Sequence, residues 1–199
     1  MGLNYRVSYE DAVGVIRDID LLPGDDGVRI DWRTEINRNI TSTGIYENVA
    51  QNTLRFVTFD CYFQTSAFHR VETWMSRALI GAPFSFSKDS TRTPYTTISA
   101  PNTGNSSVYT VDNAGDFLVG DEIIVSDAFL TKWDVASVIA PIDIIIANYP
   151  STHTYDIGDS LSWYYYFPAL LLLDDTFDPD RDGSFYHHKF NCVEVRNAS

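Results

Sequence analysis

The chain has 199 residues, with 14 Lys and Arg against 27 Asp and Glu, a formal net charge of −13. A surface this acidic repels phosphate, which argues against specific nucleic-acid binding and against docking on an anionic membrane. The length fits one domain with a sizeable insertion, able to bury a core without disulfides or a metal, and no apolar run approaches the ~20 residues that span a bilayer.

Residues 8–22 fit two patterns. Ala12, Val15, Ile16, Ile19 and Leu22 make a helical stripe behind Ser8 and Asp11, while Val13, Val15, Ile19 and Leu21 fit a strand. Residues 23–27 (PGDDG) have turn chemistry. Residues 28–36 then alternate cleanly, with Val28, Ile30, Trp32, Thr34 and Ile36 on one face and charged residues on the other, which predicts a strand. Residues 37–52 are polar and read as a loop, long enough to be a contact or functional segment.

Residues 54–63 (LRFVTFDCYF) are dense in β-formers and predict a half-buried strand. A helix is expected over about residues 66–80. Ser66 offers an N-cap, and Phe68, Val71, Met75, Ala78 and Leu79 form one apolar stripe bordered by Trp74. Gly81 and Pro83 stop it, and residues 83–86 give another short strand. After Phe86 the composition turns rich in Ser, Thr, Asn and Pro. Short strands follow at 108–111, 122–125, 135–140 and 142–147, separated by turn residues, a spacing that suggests a small barrel or sandwich. The run 161–173 (LSWYYYFPALLLL) and residues 189–195 (KFNCVEV) are expected to rejoin the first sheet.

The predicted architecture is therefore mainly β. It is an antiparallel β-sandwich formed by residues 1–89 and 161–199, with one covering helix and an inserted small β-barrel or sandwich subdomain at 90–160. Cys61 and Cys192 lie in strand-like runs, and without a secretory signal pattern they are expected as buried free thiols.

Motifs that carry chemistry are few. Asp178, Asp180 and Asp182 before Gly183 match the first half of a calcium loop, in which alternate carboxylates converge on one cation. The twelfth position is Lys189 rather than a bidentate Glu, and a solvated hairpin is the plainer expectation. His187 and His188 point to opposite faces if they sit on a strand, so they cannot chelate one metal together. His69 and His153 have no surrounding motif for nucleophilic catalysis. Trp133, Trp163 and Tyr165 could stack on sugar rings, which is the basis of an alternative reading as a carbohydrate-binding β-module for host attachment. No catalytic residue, cofactor or phosphate-binding Gly loop is expected.

The order of segments resembles bacteriophage tail proteins of the distal-tail and minor-tail (tail-tip or baseplate) type. The residues that carry the resemblance are DWRTEINRNI (31–40), LRFVTFDCYF (54–63), FHRVETWM (68–75) and APFSF (82–86), then VYTVDNAGDFLVGDEIIVSD (108–127) and KWDVASVIAPIDIII (132–146). An acidic turn then leads into FYHHKFNCVEV (185–195). The resemblance implies a structural virion component, assembled in the host cytoplasm, whose copies form a ring at the distal tail around the DNA conduit. The implied partners are further copies of the chain and other tail proteins. An acidic lumen would let DNA slide without sticking, and neither membrane nor enzymatic activity is implied.

Overall fold

The computed structural model describes residues 4–40, 46–125, 132–139, 144–148 and 154–195, with backbone alone for 34–40 and 46–53. The described chain divides into two compact units, Met1–Phe86 with Ala169–Ser199, and Ser87–Pro168. Both are built of antiparallel strands, and the fold is mainly β with one short helix.

In the first unit, β1 (Tyr5–Glu10) buries alternate residues, as a strand with one covered face must. It turns back at Asp11, whose Oδ1 accepts from the Val13 and Val15 amides, into β2 (Ile16–Ile40). Of the two patterns that residues 8–22 fit, the helical one is therefore not formed. Val13, Val15 and Ile16 are exposed, and the sheet takes up Ile19 and Leu21 instead. β2 pairs with β3 (Tyr46–Gln64) from Leu22↔Tyr62 to Ile40↔Tyr46. Residues 37–52, expected as a loop, are thus the far end of a strand pair around the undescribed residues 41–45. A ladder needs only backbone groups, so a polar sequence without apolar alternation can form one. Residues 23–27 are likewise a bulge within β2, between Pro23↔Cys61 and Val28↔Phe59, and not a chain reversal.

A 3-10 turn (Thr65–Ala67) leads into α1 (Phe68–Ala78). Ser66 does not cap α1. The cap position is Ala67, with no side-chain bond, and the Ser66 hydroxyl donates to Gln64 Oε1 at 3.3 Å. The helix buries Val71, Trp74, Met75 and Ala78. Trp74, expected at the border of the stripe, is its centre, whereas Leu79 is 40% exposed. Gly81, with φ of 86°, ends the helix by donating to the Ala78 carbonyl. Three strands complete the unit, β4 (Phe84–Ser87), β11 (Tyr166–Leu172) and β13 (Phe185–Glu194), with β12 (Asp180–Asp182) paired along β13.

The strand order is β11-β4-β1-β2-β3-β13-β12, and β11 also pairs with β13 through Leu170↔Glu194 to Leu172↔Cys192. That pairing joins the ends of the sheet and closes six strands into a barrel, which leaves few edges to protect. Its interior is aromatic. Phe59 stacks on Phe86 at 4.3 Å and Phe190 at 5.0 Å, and Trp74 meets Phe190 at 4.8 Å and Phe84 at 5.0 Å. Each such ring contributes roughly 1.5–3 kcal/mol by burial.

The second unit orders its strands β5-β10-β7-β8-β9-β6. These are β5 (Tyr95–Thr97), β6 (Val108–Thr110), β7 (Glu122–Val125), β8 (Trp133–Ile139), β9 (Ile144–Ala147) and β10 (Ser160–Trp163). A bridge between Ile98 and Val111 ties the outer strands together just past their ends. Tyr109, Phe117, Ile123, Val125, Trp133 and Leu161 lie in its core. Residues 160–163 belong here, paired with β5 and β7, and not to the first sheet as expected. A turn at Tyr164–Tyr165 splits the aromatic run, so only its second half, β11, joins the first sheet. Nothing in a run of five aromatics signals that turn.

Candidate functional site

Three constellations stand out from the packing, the first on the barrel wall. Asp60 of β3 is 3% exposed, between Phe59 and Cys61, which face the interior. Its own side chain lies beneath the β2 bulge. There the Asp26 amide donates to Oδ2 at 3.0 Å, and His187 Nε2 of β13 stands 2.5 Å from Oδ1. Lys189 donates to Asp26 Oδ2 at 2.8 Å, and this holds the Asp26 carboxyl below its usual range. Gly24 is required by the close approach. A Cβ there would sit 2.9 Å from the Asp60 carbonyl carbon. Burial pushes the nearby Tyr5 phenol up to about 12, with Cys61 and Asp60 adding to it. The group fastens the bulge to the wall. It contains an acid and a histidine but no aligned nucleophile.

The second constellation is a pair of open strand edges. From Arg33↔Leu54 to Ile40↔Tyr46 the β2–β3 ribbon pairs only with itself among the described residues, because β13 reaches β3 no further than Phe56. At the other end of β2, residues 16–21 pair with β1 on one side, and β3 begins only opposite Leu22. Two adjoining pockets of about 550 and 360 Å³ lie between this second edge and the first turns of α1, sharing Asp18, Ile19 and Arg70.

The third lies in the second unit. Its three cations all sit over one aromatic run. Arg92 lies 4.8 Å from the Trp163 ring centre, Lys132 4.3 Å from Tyr164 and Lys88 4.1 Å from Tyr165. Arg92 also pairs with Asp121, and Lys132 with Glu122 at 2.6 Å, which raises the Lys132 pKa. Of the three residues in the alternative sugar-stacking reading, Trp163 and Tyr165 meet edge to face at 5.7 Å, and Trp133 is buried in the core, 4% exposed. Trp163 and Tyr165 each have a cation over the ring.

The acidic candidates take strand positions. Asp180 and Asp182 lie exposed on β12, opposite His187 and Phe185, and Asp178 precedes it. Among the described residues no group of three or more His, Cys, Asp or Glu converges as metal ligands do. His187 and His188 point to opposite faces. His188 lies against Phe177 at 5.1 Å and Phe190 at 4.6 Å, and burial lowers its pKa. His69 is exposed on α1, 3.8 Å from Glu72, and His153 lies outside the described residues.

Both cysteines are free and buried, and burial raises both thiol pKa values well above the ordinary range. They lie on adjacent strands, but Cys192 faces Val57 and Cys61 faces His188. The offset is about 13 Å along the ladder, beyond the ~7 Å that a disulfide spans. Asp60 escaped sequence reasoning because its partner is 127 positions away; the available signal was one carboxylate inside a run of aromatics. No protein-family model matches the chain, and no curated protein matches it in sequence.

Proposed function

We propose that the chain is a structural component of a bacteriophage tail, of the distal-tail or minor-tail type, whose copies assemble into a ring around the DNA conduit. The observation that supports this best is the β2–β3 ribbon beyond Arg33, which leaves both of its outer edges open among the described residues. A two-stranded ribbon is marginal in water by itself, and a neighbouring subunit is the natural source of a third strand. In this reading the barrel with α1 against it is the sandwich-type ring-forming domain, and residues 87–168 form the inserted β-subdomain. The charge of −13 suits a conduit, because phosphate is repelled and DNA stays mobile. Assembly in the host cytoplasm is consistent with free, buried thiols.

The test is native mass spectrometry with electron microscopy of the purified chain, alone and with candidate tail partners. Rings of one fixed stoichiometry are expected. A monomer that persists at high concentration and binds no tail protein would overturn the proposal.

A further inference from the structure

We infer that the open edge of β2 at residues 16–20 is an acceptor for the β2–β3 ribbon of a second copy of this chain, which enters the groove beside α1 and extends the barrel wall. This assignment rests on the ring reading and names the contact through which copies join.

Backbone valence sets the requirement. In an antiparallel pair, alternate residues turn both N–H and C=O away from the partner. Along residues 16–20 those groups face the groove, since β3 has already given way to the turn at Thr65–Ala67 and no described strand lies there. Apolar and ionic anchors flank the edge. Ile16 is 65% exposed and Leu22 37%, and Arg70 makes no ion pair among the described residues. The ribbon brings what the edge lacks, an unpaired strand about 24 Å long and two glutamates, Glu35 and Glu47.

Charge selects the occupant. Two arginines (Arg17, Arg70) and three aspartates (Asp11, Asp18, Asp20) line the groove, and Asp20 is paired with Arg6 beside it, which leaves the groove close to neutral. From Arg33 to Leu54 two arginines balance two glutamates. Nearly all of the net charge of −13 therefore resides elsewhere, and the acidic β12, whose outer edge is also open, is the poorer site for another acidic copy. Copies of so acidic a chain repel one another over most orientations, and least where these regions meet. Donor and acceptor are different surfaces, so the contact is head-to-tail, the kind that closes rings.

Complementation tests it. Thr73→Trp fills the groove and leaves the ribbon intact. Replacing residues 36–50 by Asn-Gly removes the ribbon and leaves the groove. Each variant alone should be monomeric by native mass spectrometry, and the mixture should give a one-to-one heterodimer that grows no further. Circular dichroism verifies that both fold, and Arg70→Glu, which adds no bulk, should weaken self-association roughly 10- to 30-fold. If the wild type forms rings but either single variant does too, or if folded variants mix without pairing, the assignment is overturned and the ring reading stands. A monomeric wild type overturns both.

Discussion

Asp60→Ala measures what the carboxylate beneath the bulge does for the barrel. Two bonds are lost. The Asp26 amide donates to a charged, buried acceptor, a contact worth about 1.5–3 kcal/mol, and the His187 pair, whose histidine is about a third exposed, adds about 1 kcal/mol. The expected loss is about 3 kcal/mol, a large share of the 5–15 kcal/mol typical of a domain. The assay is amide exchange in β3 and β13 under increasing urea, which reports on the barrel and not on the second unit. Asp60→Asn, which keeps one acceptor oxygen, should lose about half as much. In a double-mutant cycle with His187→Ala, a coupling of about 1 kcal/mol is expected. Should Asp60→Ala stabilise the barrel instead, the carboxylate is held there against stability. That is the mark of a functional charge, and its assignment as a fastening would be wrong.

Further perturbations probe the same packing. Gly24→Ala should cost about 1–3 kcal/mol by crowding the Asp60 backbone, read as a lower urea midpoint at unchanged slope. Trp74→Ala should cost about 3–5 kcal/mol, since the side chain is fully buried against Phe59, Phe84 and Phe190. His188 has a lowered pKa in the folded chain, so the unfolded chain takes up that proton first. Stability should therefore fall as pH drops below about 6.5, and the difference between wild type and His188→Phe in pH-dependent melts should show that slope. Both thiols should be silent to Ellman's reagent in the native protein and both should react in denaturant; one fast-reacting thiol in the native state would contradict the burial of Cys61 and Cys192.

What could be read from the chain was whatever alternates. Residues 28–36 and 54–63 announce strands because one face must be apolar, and the helix after them announces itself by its stripe. The ribbon end at 37–40 and 46–52 does not, since its ladder is made by backbone groups under a polar sequence. Residues 23–27 carry the chemistry of a turn, and only the pairing on both sides shows them to be a bulge. Ser66 has a capping side chain but the chain enters α1 through a 3-10 turn, which moves the cap to Ala67. The setting of the aromatic run at 163–167 was hidden in a similar way. Aromatic residues next to one another in sequence say nothing about which cations will lie over them. The Asp60–His187 pair was illegible because it depends on the β3–β13 register, set by strands at opposite ends of the chain.

That register also decides the order of events during synthesis. When Met1–Phe86 has left the ribosome, β3 already presents Phe59 and Phe63 on a half-built wall, but β13, which pairs with β3 and adds Phe190 and Tyr186 to these rings, has yet to be translated. The intervening unit, Ser87–Pro168, is contiguous and can collapse as soon as it emerges. The nascent barrel therefore waits, oily and unclosed, through the making of more than eighty further residues. A message truncated before β13 would release a product with a finished insertion and a sticky, permanently open first half, fit for holdase chaperones or for aggregates.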